Sequence, residues 1–152
     1  ARLTSLRRAA DLCGPALLQH TLADMLEDGV FKRHLRHVLP VYRERRDSAL
    51  TALQRHMPKE VRWSEPAGGF CIWLTLPQQQ HCAGIQQEAL RRGWAFAPGS
   101  AFMSAPDGQV HLRICFGHQP PEKIRQGIAL LAGLVRQRLR KPAAVQDWTP
   151  LV

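Results

Sequence analysis

One residue stands out for the chemistry it could do. Arg113 lies in Gln109-Val110-His111-Leu112-Arg113-Ile114-Cys115-Phe116, where Val110, Leu112, Ile114 and Phe116 alternate with His111, Arg113 and Cys115. A strand repeats every second residue, so the four apolar side chains share one face. Arg113 then projects from the other face, between His111 and Cys115. Its planar fork matches a carboxylate or phosphate through two parallel hydrogen bonds. The strand alone leaves two readings: an arginine that holds an anionic ligand, and an arginine paired structurally on the sheet face.

Other chemically capable residues are less tellingly arranged. The four cysteines, Cys13, Cys71, Cys82 and Cys115, are scattered, with no close-spaced pair of the kind that holds zinc or carries redox chemistry. Cys71 and Cys115 fall in strand patterns, where a reduced cysteine acts as a small apolar residue. His34 and His37 share a helix face, but no further ligand lies near them in sequence, so no metal is expected. The net charge of +9 comes mostly from arginine, concentrated over residues 32–46 and 136–141. Such a balance attracts nucleic acid or acidic membranes, and equally suits one surface of a larger protein. No aromatic residues are interleaved as stacking platforms, and no helix-turn-helix or zinc-finger pattern is present. Both points argue against direct nucleic-acid binding by this stretch. No apolar run is long enough to cross a membrane. Ala1-Arg2-Leu3-Thr4 has neither a starting Met nor a signal-peptide apolar segment, so the expectation is a piece of a longer protein in a cytoplasmic setting.

The elements that must position Arg113 follow from periodicity and punctuation. Leu3, Leu6, Ala10 and Cys13 space one helix over residues 1–13, and Gly14-Pro15 breaks it. Leu17, Leu18, Thr21, Leu22, Met25 and Leu26 make a second amphipathic helix, ended by Asp28-Gly29. A longer helix carries Phe31, Leu35, Val38, Tyr42, Ala49, Leu53 and Met57. Pro40 inside it is expected to kink or divide it. Val61-Arg62-Trp63-Ser64 and residues 70–76 predict two strands of a hairpin around the turn at Gly68-Gly69, with Phe70, Ile72, Leu74 and Leu76 on one face. Residues 81–92 predict a short helix closed by Gly93. Trp94-Ala95-Phe96 predicts a short strand, Pro98 to Phe102 a loop, and Pro106-Asp107-Gly108 a turn into the Arg113 strand. Pro120-Pro121-Glu122 opens a final helix with Ile124, Ile128, Leu131, Leu134 and Val135 as its buried stripe. Trp73 and Trp94 are expected in the core. The fold class is α+β: N-terminal helices, then a small, mostly antiparallel sheet with helices packed on it.

Three stretches resemble successive signatures of one family. They are Pro66-Ala67-Gly68-Gly69-Phe70-Cys71-Ile72-Trp73-Leu74, Ala97-Pro98-Gly99-Ser100-Ala101-Phe102 and His111-Leu112-Arg113-Ile114-Cys115-Phe116. Together they resemble the C-terminal small domain of fold-type-I pyridoxal-phosphate aminotransferases, and most of all the aminotransferase-like half of MocR-type regulators of the GntR family. Tyr42-Arg43-Glu44-Arg45-Arg46-Asp47 matches the same likeness, as does Ala9-Ala10-Asp11-Leu12-Cys13 followed by Pro15-Ala16-Leu17-Leu18-Gln19. The resemblance covers about residues 3–138 in order. The domain expected from it runs over 1–141, with a helical lead-in at 1–57, an α/β part at 60–138 and a tail at 142–152.

The resemblance implies that Arg113 holds the carboxylate of an amino-acid substrate or effector, the anion the strand pattern already allowed; the Pro98-Gly99-Ser100 loop before that strand is open to two readings, a border of the same cleft and a plain structural turn. It implies a Schiff-base lysine in a Ser/Thr-x-x-Lys setting. None of Lys32, Lys59, Lys123 or Lys141 has Ser or Thr three residues before it. The catalytic lysine, the cofactor contacts and the pyridoxal phosphate itself are therefore expected upstream, in the intact protein, with nothing catalytic in this chain. Implied partners are an amino acid or amine, DNA through a further upstream domain, and a second copy in a homodimer. The resemblance implies first the C-terminal domain of an aminotransferase-like transcriptional regulator, with a genuine aminotransferase acting on an amino acid and a 2-oxo acid as the alternative. A third reading sets the resemblance aside: a basic module that binds nucleic acid through residues 32–46.

Overall fold

The structure is a computed structural model that describes residues 2–11, 14–77 and 82–140. The expected tail at 142–152 lies outside the described residues. Two units divide within one helix, Ala1–Val41 and Tyr42–Val152.

The first unit contains α1 (Arg2–Asp11), α2 (Ala16–Glu27) and the opening of α3 (Val30–His56). Pro15 precedes α2 in an extended conformation, where its missing N–H costs nothing. Gly29, at φ +67°, turns the chain into α3, a conformation that glycine adopts without a Cβ clash. The apolar stripes of α1 and α2 are present, but no residue of either helix is buried. Helix α3 runs through Pro40 undivided, so of the two outcomes expected at the proline, a kink or a division, the division does not occur. An interior proline costs about 3 kcal/mol through one lost backbone bond and a ring clash. Beyond the proline, Ala49, Ala52 and Leu53, buried at helical spacing, fix the second half of the helix to the core.

The second unit is built on a four-stranded sheet of order β1-β2-β4-β3, with β1 Arg62–Trp63, β2 Cys71–Leu76, β3 Ala97–Pro98 and β4 Val110–Cys115. Each pairing is antiparallel. Helices α4 (Cys82–Arg91) and α5 (Pro121–Arg140) and the second half of α3 bring their apolar residues to one face. Ile72, Leu74, Leu76 and Leu112 meet Ile124, Ile128, Leu131, Leu134 and Val135 there. Each such side chain stabilises the fold by roughly 1.5–3 kcal/mol when fully buried. Polar ties register the layers: Ser48 Oγ donates to the Pro121 carbonyl, and Arg136 donates to the His56 carbonyl at the end of α3. Arg45 donates to the Gly117 carbonyl just past β4, so this member of the basic 32–46 segment is structural rather than solvated.

Three local expectations are corrected. Trp94-Ala95-Phe96 is not a strand. The Trp94 N–H donates to the Ala89 carbonyl at the end of α4 and so is unavailable to a ladder. The strand follows instead at Ala97–Pro98, on the sheet edge, where a proline is tolerated. Residues 99–102 form a 3-10 turn rather than an open loop. Phe70 precedes β2 and is half exposed, its ring meeting Tyr42 edge-on at 4.8 Å instead of joining the core.

Candidate carboxylate-binding site

The sheet register assembles the site. Cys71 pairs with Cys115, Trp73 with Arg113, and Thr75 with His111. These six side chains occupy the sheet face opposite the helix-covered core. Arg113 is half-buried there. Its Nε–H donates to Cys71 Sγ at 3.1 Å, and Nη2 donates to Cys115 Sγ at 3.5 Å. The guanidinium lies over the Phe102 ring, 4.3 Å from its centroid. One edge of the fork therefore faces sulfur, and one face rests on an aromatic ring. Those contacts engage Nε and Nη2 and leave out Nη1. The Cys71 hydrogen bond, then the Cys115 charge, raise Arg113 above its ordinary value, so it is cationic at any working pH.

Next to it, His111 is buried at 8% exposure. The Trp73 Nε1–H donates to His111 Nδ1 at 3.1 Å, and Thr75 Oγ1 lies 3.1 Å from the same nitrogen. An indole can only donate. The neutral imidazole must therefore carry its hydrogen on Nε2, which donates to Asp107 Oδ2 at 2.9 Å. Asp107 Oδ1 in turn accepts the Gln109 N–H at 2.9 Å. That backbone bond first, then His111, holds the Asp107 carboxyl below its ordinary 3.8. The chain of bonds runs from the Pro106-Asp107-Gly108 turn across β4 to β2, and it fixes the strand that carries Arg113.

Gly99 explains how Phe102 reaches the guanidinium. A Cβ on Gly99 would lie 2.2 Å from His111 Cβ and 3.0 Å from the His111 carbonyl carbon and oxygen. Only glycine lets the 3-10 turn lie this close to β4, and the same turn carries Phe102. Pro98 and Arg113 line a cavity of about 560 Å³ beside the β3 edge, together with Trp94, Phe96, Ile124 and Gln119. Ser100 faces a smaller cavity of about 230 Å³ shared with His111 and Met103. Of the Pro98-Gly99-Ser100 segment, Pro98 thus lines the Arg113 cavity and Ser100 the smaller one.

No lysine and no carboxylate lines the larger cavity. Its surroundings suit an anionic group on a largely apolar body and do not by themselves make a pyridoxal-phosphate site. Among the described residues, no group of three or more His, Cys, Asp or Glu side chains could hold a metal ion, and no helix is long and apolar enough to cross a membrane.

The side chains around Arg113 were not foreseen from the sequence. Cys71 and Cys115, read as small apolar residues, are polar neighbours of the guanidinium. Trp94 packs against the core as expected, its ring against Gly127. Trp73 does not. It lies on the site face, tilted over His111 with ring centroids 5.1 Å apart. The period-two pattern of β2, read alongside that of β4, already put Cys71, Trp73 and Thr75 on one face. Only the strand pairing reveals which residue each of them meets.

No family model matches the chain. It is 33% identical over 140 residues to aromatic-amino-acid aminotransferase 1 of Thermococcus litoralis, covering 92% of this chain and 34% of that protein. It is 27% identical over 138 residues to the uncharacterized HTH-type transcriptional regulator YdcR of Escherichia coli, covering 91% of this chain and 30% of that protein. The fold matches the kynurenine aminotransferase of Pyrococcus horikoshii with a TM-score of 0.82 at 30% identity, covering 92% of this chain and 35% of that one. The chain spans about a third of the length of the curated relatives it matches. It is aminotransferase-like in sequence and in its α+β fold.

Proposed function

We propose that this chain is the C-terminal, small-domain part of a fold-type-I, pyridoxal-phosphate-dependent aminotransferase, in which Arg113 receives the carboxylate of an amino acid. The observation that carries this reading is the Arg113 fork, held on one edge by two sulfurs and on one face by Phe102, on a residue that lines a largely apolar cavity. Pyridoxal phosphate, when bound, supplies the electron sink that makes bonds at the amino-acid α-carbon labile. The contacts to it fall to the remainder of the protein. This chain's own residues bind and orient: Arg113 sets the carboxylate position, and the Asp107–His111–Trp73 chain holds β4 still. Phe102 shields one face of the guanidinium from water. The apolar wall of Trp94, Phe96 and Ile124 excludes water beside it.

The enzyme reading is supported by the higher identity to aminotransferases, 33% against 27% for the regulator. The P. horikoshii relative is a complex with PMP and kynurenine, which supports an amino acid as the ligand. The second reading, a MocR-type regulator whose ligand shifts an equilibrium felt by a DNA-binding domain, is supported by the match to the E. coli regulator over 91% of this chain. In either case the exposed apolar residues of α1 and α2, including Leu3, Leu6, Leu17 and Leu18, are the surface on which the rest of the protein or a second copy packs.

Two assays on the full-length protein test the proposal. Visible absorbance of bound pyridoxal phosphate is followed as amino acids are added, and 2-oxo acid formation is measured. An amino-acid-dependent spectral change with product supports the enzyme. A spectral change without product supports the regulator. No cofactor absorbance refutes both.

A further inference from the structure

Cys71 and Cys115 stand directly opposite each other on adjacent antiparallel strands. The Phe116 N–H donates to the Phe70 carbonyl at 2.9 Å, so Phe70 and Phe116 form a hydrogen-bonded pair. In an antiparallel ladder the next pair along, Cys71 with Cys115, is then a non-hydrogen-bonded one. Such pairs bring the Cα atoms to about 4.5 Å and the side chains closest together. That spacing lies within the range a disulfide spans without backbone movement. Both thiols are free, and their sulfurs are 2.9 Å apart. Cys115 is exposed and lines the Arg113 cavity, so a small solute reaches it. Most cross-strand neighbours lack a reason to be paired cysteines. Here the pair also holds one whole edge of the arginine on which the site depends.

We propose that Cys71 and Cys115 form a reversible oxidation site that closes to a cross-strand disulfide under hydrogen peroxide and thereby loosens Arg113. One thiolate attacks peroxide, taking an OH group as the O–O bond breaks and hydroxide leaves. The second thiolate attacks the resulting sulfenic sulfur, forming the S–S bond and displacing a second hydroxide. With the two thiol protons returned, two thiols and one peroxide give one disulfide and two waters. A disulfide sulfur is a poorer acceptor than a thiol or thiolate, so the hydrogen bonds from Nε–H and Nη2–H of Arg113 weaken. Bond formation stands independently of the function proposed above. Its effect on amino-acid binding rests on that function.

The test begins with this chain, treated with dilute hydrogen peroxide and analysed by intact mass and a non-reducing peptide map. The expected result is a mass loss of two hydrogens, protection of two of the four cysteines from a maleimide, and a Cys71–Cys115 linked peptide that dithiothreitol reverses. Cys71→Ser and Cys115→Ser each abolish the mass loss. Sulfinic acid at either position, or a link to Cys13 or Cys82, overturns the site. In the full-length protein carrying cofactor, oxidation is expected to weaken the amino-acid response by up to about tenfold, the order set by two weakened hydrogen bonds. Disulfide formation with an unchanged response overturns the coupling to Arg113. Loss of the response to Arg113→Ala in the reduced protein checks the carboxylate role separately.

Discussion

Replacing Gly99 by alanine tests how tightly the 3-10 turn is seated on the arginine strand. The added Cβ would lie 2.2 Å from His111 Cβ, where ordinary contact begins at 3.4 Å, and 3.0 Å from the His111 carbonyl carbon and oxygen. Relief therefore needs a displacement of roughly 1.2 Å, about the gap on a steep repulsive wall. The neighbour is the Cβ and main chain of a buried residue tied to Trp73, Thr75 and Asp107, so it cannot swing aside. Overpacking of this kind costs about 1–3 kcal/mol. Alanine recovers about 0.4–1 kcal/mol by reducing the freedom of the unfolded chain. The net loss is about 0.5–2 kcal/mol, and for a chain of this size the thermal midpoint falls by about 1–8 °C. Gly68→Ala is the control, since a Cβ there meets nothing within 4 Å. Thermal denaturation by circular dichroism reads both. Because the turn carries Phe102, Gly99→Ala also weakens the amino-acid response of the full-length protein, while Gly68→Ala leaves it unchanged. A Gly99→Ala midpoint equal to or above that of Gly68→Ala refutes the close seating of the turn.

Two further predictions use the same structure. On α5, Gly133→Ala meets nothing within 4 Å and gains helix propensity, so its midpoint rises by about 1–4 °C. Gly127→Ala places a Cβ 2.5 Å from Trp94 Cζ3 and lowers the midpoint; equal rises for both variants contradict the packing of Trp94 on α5. The Asp107 carboxyl is held below its ordinary 3.8, and Glu88 and Glu122 are held below 4.5 by their arginine partners. Groups with depressed values stabilise the fold above those ordinary values and lose that contribution as pH falls through their folded ones. The midpoint is therefore expected to drop on going from about pH 6 to about pH 3, and less steeply in Asp107→Asn. An identical slope in Asp107→Asn would show that the carboxylate bonds to Gln109 and His111 contribute nothing.

The sequence made the core legible because its signals are local. Alternation in residues 70–76 and 110–116 identified Ile72, Leu74, Leu76 and Leu112, and helical spacing identified Ile124, Ile128, Leu131, Leu134 and Val135. Arg113 was legible for the same reason, as a charge out of place in an apolar strand. What surrounds it was not. The Cys71–Cys115 pair joins residues 44 positions apart, and its meaning depends on a register that neither strand states alone. Trp73 alternates as any strand residue does, and nothing local says that its indole N–H will meet a histidine from β4. The misread segments failed where a tertiary bond overrode a local preference. The Trp94 N–H caps α4 and so leaves the expected strand, while at Pro40 the buried second half of α3 carries the helix on without the division that was one of two expected outcomes. The resemblance to aminotransferases suggested a carboxylate as the ligand, while the surroundings of Arg113 came only with the pairing of strands.

The most direct measurement titrates the full-length protein, loaded with pyridoxal phosphate, with amino acids and follows the cofactor absorbance in wild type, Arg113→Lys and Arg113→Ala. The account predicts a response at low amino-acid concentration in wild type, a much weaker one in Arg113→Lys because an ammonium cannot reproduce the fork, and the weakest in Arg113→Ala. An amine lacking the carboxylate should respond equally in all three. If the amino-acid response is the same in wild type and Arg113→Ala, Arg113 does not hold the carboxylate and the central claim is wrong.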